Sequence, residues 1–152
     1  MDKIIVTAFL IVAGVISAIT VFNTMVPAIQ QSSDAMTAME RRVDDRMKTQ
    51  IEIIQAAKSG STVIIWVKNV GSARVLAPSS ADLFFGPQGN FTRIPYGAGD
   101  PYWTMSIEND TQWNPSATLK ITITFSTPPS AGSYFVKMVL TNGISHEYLT
   151  SW

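Results

Sequence analysis

The chain of 152 residues contains no cysteine, which excludes a disulfide framework, a thiolate metal site and a cysteine nucleophile. Charge is scarce: 14% of residues are ionic, against about 25% in an ordinary soluble domain. The 11 basic and 11 acidic side chains cancel, so no basic field exists to hold a phosphate backbone, and nucleic-acid binding is not expected. Also missing are the G-x-S-x-G elbow, the P-loop and the dinucleotide fingerprint. No enzyme, cofactor, metal site or small-molecule substrate is expected. Low charge and a positive mean hydropathy together imply that part of the chain is buried in lipid or against other copies of itself.

The charge deficit has a location. From Ile4 to Ser33, 30 consecutive residues carry no ionisable group, and Ile4–Ile29 holds fourteen Ile, Val, Leu and Phe. As a helix that segment is about 39 Å long at ~1.5 Å per residue, longer than a hydrocarbon core of about 30 Å. Membrane insertion of its fourteen large apolar residues gains about 4–8 kcal/mol, reduced by Thr7, Ser17, Thr20 and Asn23. A cleaved secretory signal fits less well, because Asp2 and Lys3 cancel and the apolar run is too long. Ala13 with Ser17 and Gly14 with Ala18 give the small-xxx-small spacing that lets helices approach closely. Pro27 predicts a kink against the Asn23 carbonyl, with Asn23 and Thr24 able to re-satisfy the loosened backbone.

Beyond the apolar run, Met36, Met39, Val43, Met47, Ile51 and Ile54 recur at steps of three and four, an apolar stripe on a continuing helix. The mixed-charge segment Glu40–Lys48 contains the favourable pair Asp44 and Lys48 at i,i+4. Lys58-Ser59-Gly60-Ser61 reads as a helix stop. The composition then changes to β-branched and aromatic residues alternating with polar ones. Ser61–Val70 reads as a strand with Val63, Ile65 and Val67 on one face. Further strands are expected at Ala73–Leu76, Asp82–Phe85, Phe91–Ile94, Trp103–Ile107, Thr118–Phe125, Ser133–Thr141 and Ser145–Thr150. Asn142-Gly143 is the best hairpin signal. Lys68, Lys120 and Lys137 are read as charges that protect sheet edges. The whole pattern indicates α+β architecture: residues 1–58 as a long N-terminal hydrophobic helix kinked near Pro27, and residues 59–152 as an antiparallel immunoglobulin-like β-sandwich.

An uncharged apolar helix leading into a small sandwich resembles the type IV pilin superfamily, and archaellins, the archaeal flagellins, in particular. Trp66-Val67-Lys68-Asn69-Val70-Gly71-Ser72-Ala73-Arg74 resembles the first-strand "VKN-x-G" signature shared by archaellins and their membrane-bound accessory relatives. Asp82-Leu83-Phe84-Phe85 occupies the place of their next inner strand, and Val139–Ser145 resembles their closing hairpin. The Gly-rich start common in archaellins is absent. The resemblance implies a structural subunit of an extracellular archaellum-like filament for motility or adhesion, a helical homopolymer whose partners are itself, the membrane before assembly, and separate assembly and motor machinery. The alternative it implies is a membrane-anchored accessory or stator module whose sandwich binds a cell-envelope protein.

Assembly in the filament reading falls to Gly14, Val15, Ala18, Ile19, Phe22, Pro27, Met36, Met39, Val43 and Met47 on the helix, leaving the sandwich autonomous and monomeric. Asn90-Phe91-Thr92 and Asn109-Asp110-Thr111 match the N-glycosylation sequon, making Asn90 and Asn109 candidate acceptors. Asp100, Glu108, Asn109 and Asp110 form an oxygen-rich cluster without EF-hand spacing, and a solvated loop is expected there. The lone His146 is read as an ordinary surface or half-buried side chain. The four tryptophans are read as core or rim packing, with Trp103 and Trp113 the pair nearer to exposure because each neighbours a Pro- or Asn-rich loop.

Overall fold

The computed structural model describes residues 2–152 and divides into two units, residues up to Arg42 and Val43–Trp152. Helix α1 (Asp2–Lys48) forms the first unit and opens the second. It runs through Pro27 without interruption, and none of its residues is buried. Its polar side chains are internally satisfied: the Thr7 and Thr20 hydroxyls donate to the Lys3 and Ile16 carbonyls one turn back, both at 2.8 Å. Such back-bonding hides hydroxyls that would otherwise oppose entry into lipid. Thr24 donates to the carbonyls of Thr20 and Val21, a turn upstream of the Asn23 carbonyl expected to need it.

The helix ends at Lys48 and not at Lys58. Residues 51–58, expected to be helical, belong to strand β1 (Ile51–Ser59), which is followed by β2 (Thr62–Asn69). Ile51 and Ile54 satisfy the three-and-four spacing of the stripe, but Ile51 and Ile53 also alternate with Glu52, and both bury in the sandwich while Ile54 stays exposed. Period two wins because a second sheet is there to cover that face. Gly60, read as a helix stop, sits at φ 60° in the two-residue loop between Ser59 and its partner Thr62. Its left-handed conformation serves a hairpin turn.

The remaining strands are β3 (Asp82–Pro87), β4 (Thr92–Ile94), β5 (Tyr102–Ile107), β6 (Thr118–Thr124), β7 (Ser133–Val139) and β8 (Ser145–Ser151). Ala73–Leu76 is not a strand, and a single 3₁₀ turn follows at Pro78–Ser80. Two antiparallel four-stranded sheets result, ordered β1-β2-β6-β5 and β4-β3-β7-β8, the A-B-E-D and C′-C-F-G arrangement of an immunoglobulin-type sandwich. Lys68, Lys120 and Lys137 therefore stand on the central strands β2, β6 and β7, and the edges are β1, β4, β5 and β8. Asn142-Gly143 does close the β7–β8 hairpin, as a three-residue loop with Gly143 at φ 82°.

Inward residues of both sheets make one core, including Val63, Ile65 and Val67 from β2, Leu119, Ile121 and Ile123 from β6, and Val136 and Met138 from β7. Trp103 and Trp113 belong to this core at 1% exposure each, which agrees with a packing role and corrects only their placement nearer to solvent. The Trp113 indole N–H donates to the Ala117 carbonyl at 3.2 Å, and Tyr96 packs edge-on against Trp103 at 4.7 Å. A partner for its one polar atom lets the large Trp113 ring enter the core.

His146 ties the two sheets together. Its Nδ1 accepts the Ile53 N–H at 3.1 Å, linking edge strand β8 to edge strand β1 beside the bulge between Ile53 and Gln55. Accepting there requires the lone pair of a neutral Nδ1. His146→Ala leaves that N–H without its partner and should lower stability by about 1–2 kcal/mol. Chemical denaturation of the full chain in detergent checks it, and an unchanged midpoint would show that the tie is dispensable.

Candidate functional site

The "VKN-x-G" segment builds a socket. Asn69, the last residue of β2, is fully buried. Its Nδ2 donates to the Ala73 carbonyl at 2.9 Å and the Trp113 carbonyl at 3.1 Å, while its Oδ1 accepts the Gly71 N–H at 3.0 Å. The last bond, from i to i+2, is an Asx turn. It folds residues 70–73 back over the end of α1. There Ser72 and Ala73 both donate to the Lys48 carbonyl, at 2.9 and 3.1 Å, and Val70 and Gly71 both donate to the Gln50 carbonyl, at 2.9 and 3.0 Å.

The glycine is required by proximity. A Cβ at Gly71 would lie 2.6 Å from the Gln50 nitrogen and against the Lys48 carbonyl oxygen, backbone atoms that have no rotamer to retreat into. Thr49 completes the socket by bonding the Asp45 carbonyl through both its N–H and its hydroxyl, at 3.0 and 2.6 Å. Arg46 lies over the β7–β8 loop, its guanidinium 3.4 Å from where a Gly143 Cβ would stand. Lys48 donates to the Asp44 carboxylate at 2.7 Å, and that hydrogen bond, with the carboxylate's charge, raises the lysine pKa above its usual value. Thus the last turn of α1, a site where four carbonyls lack helical partners, is capped by a segment from the far end of β2.

The second candidate surface is the apolar run on α1. Val15, Ile19, Phe22, Met36 and Met39 are all exposed, and nothing lies within 4 Å of an added Cβ at Gly14. Val43 and Met47 fall in the sandwich unit and are exposed too. The helix has the length and composition to cross a membrane.

The oxygen-rich cluster is taken apart by internal donors. Asp100 accepts from the Ser126 hydroxyl and N–H, bonds that hold its pKa below the usual carboxylate value. Asp110 accepts from Asn114 and Thr111 with the same effect, and Glu108 pairs with Lys120 at 3.5 Å. Among the described residues no three such groups converge as metal ligands do. Of the sequon asparagines, Asn109 accepts the Thr118 N–H at 2.8 Å, whereas Asn90 is exposed on the β3–β4 turn.

The socket was missed by sequence reading, which identified the motif through resemblance alone. Its signal was present: an Asn two residues before a Gly at a strand end is the pattern of an Asx turn.

No family model matches the sequence. An uncharacterised protein of Archaeoglobus fulgidus is 27% identical over 161 residues, covering 99% of this chain and 98% of that protein. The archaellum periplasmic stator protein FlaG from Sulfolobus acidocaldarius has a similar structure, with a TM-score of 0.61 and 30% identity, covering 67% of this chain and 99% of that one. A structure of the archaellum periplasmic stator complex of FlaF and FlaG from the same organism matches with a TM-score of 0.60 and 30% identity, covering 67% and 89%. These neighbours are stator proteins, so the archaellum association expected from "VKN-x-G" stands, but on the accessory side and not on that of the filament subunit. The chain belongs to the family of FlaG, the archaellum periplasmic stator protein.

Proposed function

We propose that this protein is a membrane-anchored stator module of an archaellum, with α1 held in the bilayer and the sandwich standing in the envelope space outside it. The observation that carries this reading is an uncovered apolar helix in a chain that matches nearly the whole of the solved FlaG chain. A stator must stay fixed while a motor turns. Membrane residence worth about 4–8 kcal/mol supplies the fixed point, and the socket at Asn69 and Gly71 fastens the end of the helix to the sandwich. The role is mechanical and non-enzymatic, with no cofactor and no small-molecule substrate.

The sandwich docks a second archaellum component. Support comes from the FlaF and FlaG complex, one chain of which matches over 89% of its length. This replaces the expectation of a homopolymer built through Gly14, Val15, Ala18 and Ile19, and of a sandwich that remains monomeric. In an envelope location Asn90, whose amide is not tied to a neighbouring strand, is the better glycan acceptor of the two.

Fractionation of native cells tests the reading. The chain should be found in detergent-extracted membranes and be absent from sheared, purified filaments, and its deletion should stop rotation. Filaments in which this chain is the sole repeating unit would overturn the stator assignment.

A further inference from the structure

Three of the four sheet edges are blunted by a recognisable device. Strand β1 is interrupted by its bulge and carries Lys58. Strand β4 is only three residues long and is followed by Pro95. Strand β5 is covered at its start, where Tyr96 bridges Trp103 and the Pro95 carbonyl accepts the Trp103 N–H. Strand β8, beyond its His146 end, has none of these. It is seven residues long, pairs with β7 in unbroken register, and contains no lysine, arginine or proline.

The direction of its free groups follows from that register. Trp152 and Gly132 exchange both backbone hydrogen bonds, and Leu140 donates to Ile144. Alternation along an antiparallel pair then turns the even-numbered residues of β8 toward β7 and the backbone groups of Ser145, Glu147, Leu149 and Ser151 outward. At one end the His146 side chain reaches β1, so the open part is the Glu147–Ser151 end, beside a cavity of about 390 Å³ lined by Gln88, Ser133, Tyr148 and Leu149 among others.

The side chains on the outer face continue the same row. Gly86 has no side chain, and Phe91 lies over it, placing its ring 4.6 Å from that of Phe135. Phe135 is opposite Leu149 on β8, and Leu149 is 57% exposed. The apolar row Phe91, Phe135, Leu149 thus ends at an open edge, where one more strand would supply the next member.

We infer that β8 is a strand-addition site: an exposed β-strand of a second archaellum-associated protein pairs with Glu147–Ser151, extends the β4-β3-β7-β8 sheet, and sets an aliphatic side chain beside Leu149. Backbone pairing supplies affinity and the Leu149 row supplies register. The inference rests on the stator reading, since the FlaF and FlaG complex is the ground for a heterologous occupant over a second copy.

The test uses full-length protein purified with its partner from native membranes. Hydrogen exchange of the 145–152 segment should slow roughly a hundredfold or more relative to the chain alone, with protection on the odd-numbered amides. Leu149→Pro removes an outward N–H that an edge strand can spare and should lower partner recovery roughly tenfold or more. Leu149→Lys, which keeps the backbone, should weaken it as well, and each variant should retain the wild-type melt. A complex that forms with β8 exchange unchanged, or that survives both variants, overturns the inference and leaves the stator reading standing. If β8 is protected by a second copy of this chain, the heterologous occupant is wrong. If this chain is the repeating unit of purified filaments, the stator reading itself fails.

Discussion

Asn69→Ala should lower the stability of the Val43–Trp152 unit by about 3–5 kcal/mol, because three backbone groups lose their buried partner at about 1–3 kcal/mol each. The side chain is fully enclosed, so water cannot replace it at the Ala73 and Trp113 carbonyls or the Gly71 N–H. With the Asx turn gone, residues 70–73 also lose the conformation that presents four N–H groups to Lys48 and Gln50. Guanidinium unfolding of the full chain in detergent, followed by tryptophan fluorescence, reports the loss. Asn69→Asp keeps an acceptor for Gly71 but removes both donors, and should bring a carboxylate against two carbonyls, so it should be no milder. A loss below about 1 kcal/mol in Asn69→Ala would mean that the socket is decoration on a fold held by its core alone.

The second large effect is on location. Val15→Asp combined with Ile19→Asp places two carboxylates near the middle of the apolar run, at a cost of about 2.5–3.5 kcal/mol each at the centre of a spanning helix. Their sum with the lost apolar side chains equals the whole insertion gain of about 4–8 kcal/mol. The double variant should therefore leave the membrane pellet and appear in the soluble fraction or be degraded. The sandwich, to which neither residue belongs, should keep its β-type circular dichroism. Undiminished membrane retention would show that the anchor lies elsewhere.

How much was legible depended on whether a feature is local. The sandwich was readable because period-two alternation along β2, β6 and β7 is written in consecutive residues, and the observed burial follows it. The uncharged run was readable for the same reason. The helix end was not, since Met47, Ile51 and Ile54 fit a 3.6 period while Ile51, Glu52 and Ile53 fit a period of two, and only the pairing of Ile51 with Asn69 and Ile53 with Val67 decides between them. The edges were misassigned because Lys68, Lys120 and Lys137 show which face is wet without showing which strand is last. The socket was legible only in part: Asn69 and Gly71 carry the spacing of an Asx turn, but the contacts that join Lys48 to Ser72 and Asn69 to Trp113 are made only once β2 has turned back on β1.

That socket also sets an order of events during synthesis. The carbonyls of Lys48 and Gln50 receive their donors from residues 70–73, which leave the ribosome after the helix is complete. On the stator reading, in which α1 is the membrane anchor, the last turn of α1 still lacks its caps from the sandwich when the apolar run is inserted, and is free to fray. The helix can then enter the bilayer before anything grips its base. Once β2 has paired with β1, Asn69 closes over the last turn, so the grip is installed only on a chain that has already been delivered.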